Sequence, residues 1–581
     1  MVKHWKFHSF DPDTVAALES AAKIPNVVAQ LLISRGMSDP QAVHAFLHMK
    51  LSDLRKPGEL PGAENAAKLI FQAVQDKKRI QIYGDYDADG MTATAILVRC
   101  LKLLGADVGY FAPNRMDDGY GLNSDVLRRL HQEGTQMVIS VDCGIANAEQ
   151  ADVAADLGLQ LVITDHHEFG DRLPAADAIV HPRLPGTDYP FGGLCGAGVA
   201  FKLAWILCQL DSDADRVTAA HRDFLMMAIG IAAIGTVTDV VPLLDENRII
   251  VTHGLHSLKD RACTGVQALK QITKINNKPK LQSDDIGFNL GPRLNAAGRL
   301  GQAALGVELL ATDDPQRAQE LATYLDQLNE NRKTIERSIH LAAVKQIKEN
   351  YDAENDPAFV LAGHGWHAGV IGVVSGRLAE KYARPVILIA LDQLAIKPGI
   401  GSARSGGLVN LHTTLQQCTE HLEKHGGHAA AAGLTIAEGN VDAFRAAFCE
   451  QVAETLREEN QVAELLIDAE APFAQLTTQI VEQIHQLAPF GKDNPRPILC
   501  ASRVEIIPNS ARRMGGGERH LTVTLSQSSV KIRCVAFGQG DWAEELDQTD
   551  GPIDIAYKPV INDFRGQRKV ELHLQDWRPS S

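Results

Sequence analysis

At 581 residues, with 45% hydrophobic and 22% charged side chains, the chain is too long for one core. Its composition is that of a soluble protein of three or four domains. A formal net charge of −15 excludes a protein that coats nucleic acid nonspecifically, though not one that grips a strand in a local groove.

Residues 1–75 read as a helical segment, with amphipathic pieces at 25–34 and 40–48 and no site chemistry. The N-terminal Met-Val-Lys-His-Trp-Lys-Phe-His carries no apolar signal core, and the longest apolar run, 224–237, is too short to span a bilayer. Nine cysteines with no Cys-x-x-Cys pair point to a reducing, cytoplasmic compartment and no membrane association.

From 79 to about 240 the pattern becomes strand, turn, helix, repeated. Strands are expected at 79–83, 108–112, 137–141, 159–164 and 178–181, with helices at 91–104, 124–132 and 147–157. Buried strands alternating with helices predict an α/β domain with a doubly wound parallel sheet. Polar residues gather just after these strands: Asp85, Asp87 and Asp89, then Asn114-Arg115, Asp142, and Asp165-His166-His167. Carboxyl ends of neighbouring strands are where such a sheet opens its crevice.

The richest turn is Gly84-Asp85-Tyr86-Asp87-Ala88-Asp89-Gly90, three carboxylates within five residues. Like charges this close call for a cation among them. In extended backbone the three would face the same way. A calcium loop is excluded, because its twelfth position needs a bidentate Glu and holds Ile96, and because a strand precedes it. The plain alternative is a turn whose Asp side chains cap the next helix. Asp142 in Val-Asp-Cys-Gly could bridge two cations or merely cap a helix, and Asp239 sits in a small-residue apolar stretch where a carboxylate is costly without compensation. Carboxylates with one or two histidines suit Mn²⁺ or Mg²⁺ better than zinc. Two such ions, roughly 4 Å apart, serve phosphoryl transfer. No Walker A string occurs, which argues against an NTP motor.

Further along, Gly291-Pro292-Arg293-Leu294-Asn295-Ala296-Ala297-Gly298-Arg299 reads as a phosphate-clamping loop or a capping loop. Residues 313–350 carry a helical stripe, roughly 50 Å long if continuous at about 1.5 Å per residue, which is either a bridge between lobes or an ordinary packed helix. A second α/β unit follows, with strands at 359–362 and 385–390 and a helix at 370–382. It holds Ser402 and Arg404 on a Gly-flanked turn, an anion clamp or a plain turn, and Gly427-His428. Five alternating runs at 503–507, 520–526, 530–537, 553–559 and 569–574 fit a C-terminal OB-like barrel. The expected domains are therefore 1–75, 76–270, 271–350, 351–460 and 461–581.

These strings resemble the DHH phosphoesterase superfamily, whose name-giving motif is Asp165-His166-His167. Tyr-Gly-Asp-Tyr-Asp-Ala-Asp-Gly, Thr-Val-Thr-Asp-Val-Val-Pro-Leu, Gly-Pro-Arg-Leu-Asn-Ala-Ala-Gly-Arg and the Gly-Gly-His of a DHHA1 domain place the chain close to its bacterial single-strand DNA exonucleases. Tyr83 stands where the small pyrophosphatase branch carries a ligand histidine. The resemblance covers about 75–575, in the order DHH, DHHA1, OB-like. It implies a 5′→3′ exonuclease of single-stranded DNA acting in repair and recombination through two Mn²⁺ or Mg²⁺ ions. It implies metal ligands at Asp87, Asp89, Asp142, His166 and Asp239, with Asp142 bridging, His167 at the scissile phosphate or leaving group, and Asp85 in support. Arg115, Arg293, Asn295, Arg299, Ser402, Arg404 and His428 would line the DNA path. A monomer is expected, with a single-strand DNA-binding protein and a DNA helicase as partners.

Overall fold

Five strands form the parallel sheet: β1 (Ile80–Tyr83), β2 (Val108–Phe111), β3 (Met137–Val141), β4 (Gln160–Thr164) and β5 (Ala178–Val180). Their order is β2-β1-β3-β4-β5, and every pairing is parallel. β1 and β3 bury all their residues, as a sheet covered on both faces requires. The order reverses between β1 and β3, so the chain leaves their carboxyl ends in opposite directions and a crevice opens there. This computed structural model describes residues 4–114, 119–458, 464–564 and 566–580.

Three helices build the floor and wall of that crevice: α1 (Ala88–Leu103), α2 (Gly196–Ser212) and α3 (Ala219–Thr238). They pack on one another, and α3, although long and apolar enough to cross a membrane, is mostly buried in this core. The Gly-Pro-Arg string, expected as a loop, is instead the helix α4 (Gly291–Arg299), with Pro292 in its first turn. Its small residues serve helix packing: a Cβ on Gly298 would overlap the Tyr86 carbonyl.

The stripe after residue 313 is one continuous helix, α5 (Pro315–Asn350), capped by Asp314 through the Gln316 and Arg317 amides. Its 36 residues span about 54 Å. Leu321, Leu325 and Leu328 are buried toward its start, where it packs on α4, and Ile339, Ala343 and Ile347 join the next core. That core belongs to a mixed sheet of β6 (Phe359–His364), β7 (Val386–Leu391), β8 (Gly399–Arg404), β9 (Lys424–Gly427) and β10 (Ala431–Ile436), ordered β9-β10-β8-β7-β6. Helix α6 (Ala368–Tyr382) covers one face with Val370, Ile371, Val374 and Leu378. Ser402 and Arg404, expected on a turn, lie in β8. Alternation along that strand puts both on one face, since they are two residues apart.

Contacts divide the chain into two units: Leu54–Gln461, which holds everything above, and Met1–Asp53 together with Val462–Ser581. The second unit is a barrel of β11 (Leu499–Ile506), β12 (His520–Gln527), β13 (Val530–Ala536), β14 (Ile553–Phe564) and β15 (Gln567–Pro579). Pairing runs β11-β14-β15-β13-β12 and closes through Glu505 with Ser526 and Ile506 with Leu525. Leu521, Val523, Leu525, Ile532 and Cys534 alternate into its interior, as the sequence pattern predicts. The N-terminal segment belongs here: His4–Phe7 pairs in parallel with Glu464–Ile467, and Leu31 and Leu32 enter the barrel's core cluster. The helix Ala63–Gln75 falls in the other unit.

Trp5 fastens this arrangement. It is 5% exposed, donates from Nε1 to Asp576 Oδ2 at 2.8 Å, and lies under the Arg578 guanidinium at 4.4 Å. Trp5→Ala should destabilise the barrel unit by about 3–5 kcal/mol. Limited proteolysis would register this as faster cleavage between 464 and 580, with the core of 80–240 still protected.

Candidate metal centre

The Asp-rich turn is tight because Gly90 permits it. A Cβ on Gly90 would lie 2.7 Å from the Asp85 backbone, so the strand can turn straight into α1 only with glycine there. Asp87 is the N-cap of α1, and its Oδ1 accepts from the Asp89 and Gly90 amides at 2.9 and 3.0 Å. The capping alternative is therefore realised by one oxygen of one residue. Asp89 already belongs to the helix, so the three carboxylates do not share one extended phase; the helix begins at Ala88 and rotates Asp89 away from Asp87.

That rotation sorts the ligand atoms. Asp85, Asp87 and Asp142 can bring one oxygen each within 4.8 Å of one another. Asp89, His166 and Asp239 do the same, and Asp142, His166 and His167 form a third overlapping set. Asp142 and His166 each belong to two sets, which puts them at the join. Asp239 reaches the cluster from the C-cap of α3. Asp142 ends β3 in the left-handed region at φ 62°, a conformation that costs a non-glycine residue free energy and is retained where a side chain must be aimed.

The N-terminus of α2 closes against these acids. Gly196 and Ala197 donate backbone N–H groups to Asp89 Oδ2 and Oδ1 at 2.6 and 2.9 Å, an anion at a helix N-terminus. A Cβ on Gly196 would stand 2.5 Å from Asp142 Oδ1, so this approach also demands glycine.

The electrostatics are unbalanced. Burial, followed by the charges of Asp89, Asp87, Asp239 and Asp85, pushes the Asp142 carboxyl well above its ordinary range. Burial, followed by the charges of Asp89, Asp87, Asp85 and Asp165, raises Asp239 to about 9. Burial lowers His166 to about 4, which leaves a neutral imidazole. His166 Nε2 lies 3.1 Å from Asp142 Oδ1, 3.6 Å from Asp239 Oδ2 and 3.8 Å from Asp89 Oδ2. Neither His166 Nε2 nor Asp142 Oδ1 has a hydrogen-bond partner among the described residues, although both atoms are buried. Crowded carboxylates around an imidazole lone pair, with orphaned atoms at their centre, fit divalent cations with oxygen-rich coordination.

Asp165 plays a different part. Its Oδ1 accepts from the His166 and His167 amides and from His167 Nδ1 at 2.7, 3.1 and 2.8 Å, and its Oδ2 accepts from the Ile145 amide at 2.9 Å. It holds both histidines by the backbone and turns the His167 ring. Burial by itself would lower the His167 pKa, but the Asp165 hydrogen bond and charge raise it overall.

The other expected residues are distributed unevenly. Asn295 Oδ1 accepts from the Ala88 amide at 2.9 Å, fixing the first turn of α1. Arg293 is bound to Asp326 Oδ1 and to the Asn289 carbonyl, at 2.9 and 2.7 Å. Arg299 donates to the Gly369 carbonyl at the start of α6, 3.2 Å away. Arg404 contacts the Ser402 hydroxyl at 3.2 Å, and a Cβ on Gly372 of α6 would touch both side chains. His428 is close enough to Glu168, beside the Asp-His-His motif, to influence its charge. Arg115 lies outside the described residues.

Three features escaped the sequence reading. Tyr120 sets its ring edge-on to His167, centroids 5.5 Å apart; its signal was the pair of flanking glycines, both at positive φ. Lys202, a lone charge inside an apolar helix, is fully buried against Glu246 at 2.5 Å and Tyr189 at 2.8 Å. Asn247 donates to the Gly193 and Pro242 carbonyls at 2.6 and 3.0 Å, which secures the segment just after Asp239.

Comparison with known proteins agrees with this picture. Family models match at residues 79–231 (DHH family, N-terminal domain), 355–454 (DHHA1 domain) and 467–576 (RecJ OB domain). The single-stranded-DNA-specific exonuclease RecJ of Bacillus subtilis is 36% identical over 98% of this chain and 70% of its own length. That of Escherichia coli is 33% identical over 96% of each. The crystal structure of RecJ from Thermus thermophilus in complex with Mn²⁺ superposes with a TM-score of 0.82 at 30% identity, over all of this chain and 80% of that one. A Mg²⁺ complex of the same protein gives 0.77 at 29% identity, over all of this chain and 79% of that one.

Removing one buried charge tests the imbalance directly. Near neutral pH, Asp142→Asn should raise the thermal midpoint of the chelator-treated protein by a few degrees, because folding without metal forces a proton onto a carboxyl that is ionised in the unfolded chain, at about 1.4 kcal/mol for each pH unit above its ordinary range. The same substitution should abolish the further rise that Mn²⁺ gives the wild type, measured by differential scanning calorimetry.

Proposed function

The chain belongs to the RecJ family of single-stranded-DNA-specific exonucleases, and from that premise we propose that it hydrolyses phosphodiester bonds of single-stranded DNA from the 5′ end, in DNA repair and recombination. The observation that carries this reading is the pair of buried, partnerless atoms, Asp142 Oδ1 and His166 Nε2, set between two groups of carboxylates.

Two Mn²⁺ or Mg²⁺ ions fit these donors. Asp89, His166 and Asp239 would hold one, and Asp87, supported by Asp85, the other, with Asp142 between them. When bound, the ions supply Lewis acidity at the phosphate and make water acidic enough to attack near neutral pH. The protein's own groups then orient the strand. With Nδ1 committed to Asp165, the atom that His167 has left for the scissile phosphate or the departing 3′ oxygen is Nε2. Ser402 and Arg404, beside the first turns of α6, would with His428 anchor the terminal phosphate, while Arg299 ties α4 to that lobe. Arg115, which follows β2 in sequence, would assist. The free state of all nine cysteines suits action in the cytoplasm. A monomer assisted by a single-strand DNA-binding protein and a helicase completes the reading.

The test is digestion of a long 5′-labelled strand in Mn²⁺. Asp142→Ala should lower kcat about 10³-fold or more, and His167→Ala about 10²–10⁴-fold with the fold intact. Unchanged hydrolysis by Asp142→Ala would overturn the site. Cleavage of a dinucleotide but not of the long strand would point to a small-substrate phosphodiesterase.

A further inference from the structure

Between the helix Ser283–Asp285 and α4 the chain makes one turn of π-helix, Ile286–Leu290. Such turns are rare and frequently lie at functional sites. This one sits on the last turn of α3, the turn that ends in Asp239. A Cβ on Gly287 would lie 3.9 Å from Val237 Cγ1, and one on Gly291 would lie 2.3 Å from Thr238 Cγ2. Gly291 therefore lets this segment press directly on the side chain of Thr238, the residue before a proposed ligand.

The turn is anchored from behind. Arg293 Nη1 holds the Asn289 carbonyl at 2.7 Å, and the rest of its guanidinium is spent on Asp326 of α5, at 2.9 and 2.8 Å. Lys278 fixes Asp285, just before the turn, at 2.5 Å. What this construction presents outward is Phe288, 77% exposed. Val240, the residue after Asp239, is 63% exposed at φ 60°, a conformation a β-branched residue seldom adopts. An aromatic ring and a valine at positive φ are thus both exposed on segments that pack beside, or follow, the last turn of α3 before Asp239.

We propose that Phe288, together with Val240, is a base-stacking platform for the single strand whose phosphate enters the metal centre. This rests on the nuclease reading above. The acidic cluster can take a phosphate only with cations, and a strand held there carries its bases along the rim next to Asp239. Every base has an apolar face, so an exposed phenyl ring binds the strand without choosing its sequence. Arg293 then acts as a positioning residue for the platform, its guanidinium being committed to Asn289 and Asp326.

The experiment uses the full chain in Mn²⁺ and two 5′-phosphorylated strands, one with ordinary bases and one whose internal positions are abasic. Phe288→Ala should raise KM for the ordinary strand about tenfold at unchanged kcat, the equivalent of one lost base stack. It should leave KM for the abasic strand as it is in the wild type, and Phe288→Trp should restore the ordinary strand. An unchanged KM on the ordinary strand, or an equal rise on both strands, would overturn the platform. Wild-type protein that cleaves neither strand with Mn²⁺ or Mg²⁺ would instead refute the nuclease reading itself.

Discussion

Mutual repulsion among buried carboxylates is the constraint around which the larger unit is built. Folding brings Asp85, Asp87, Asp89, Asp142 and Asp239 into one crevice, all five within one overlapping network of ligand atoms. Two unit charges at 4 Å repel by about 4 kcal/mol even at an effective dielectric near 20. The protein relieves this for two of the acids with backbone dipoles. Asp87 caps α1, and Asp89 takes two amides from the N-terminus of α2. Asp142 and Asp239 have no equivalent relief, and the main charges acting on them are other carboxylates. What remains is a fold completed by divalent cations.

Holding repelling groups together requires rigid walls, and the surrounding residues supply them. Gly90 and Gly298 each remove a side chain where two backbones approach too closely for a Cβ, and Gly196 does so where the Asp142 carboxylate lies. Asn295 pins the first turn of α1, and Asp165 ties both histidines to the Ile145 amide. The buried Lys202–Glu246 pair and Asn247 fix the chain that leaves Asp239. A buried ion pair adds little net stability, but breaking it is expensive, so it defines one geometry.

Much of this was legible in the sequence because strand ends in a parallel sheet are easy to locate. Once β1, β3 and β4 are placed, the acids after them must meet at the point where strand order reverses. The separation of Asp87 from Asp89 was not legible, because it depends on the helix starting at Ala88, and boundaries are set by capping geometry more than by pattern. The Gly-Pro-Arg string misled for a related reason. Its glycines resemble those of a loop that admits a ligand, yet they admit Tyr86 and Thr238 of the same chain. Ser402 and Arg404 looked like a turn for their glycines and proved to be a strand. The N-terminal strand was invisible, since four residues pairing with a partner some 460 positions away leave no local signature.

The fate of the arginines bears on how an acidic protein could hold a polyanion. Arg293 is spent on Asp326 and a carbonyl, Arg332 on Glu336, and Arg99 on Asp313, so these cations stiffen the scaffold first. With a net charge of −15, long-range attraction for DNA is weak, and affinity has to be local. Two local sources are available to a strand in this crevice: ions that bridge carboxylates to phosphate, and rings that meet bases. Neither reads sequence, and the ring acts only on bases that are unpaired and free to turn outward. On the proposed platform, preference for single strands then follows from the ring's demand for an unpaired base.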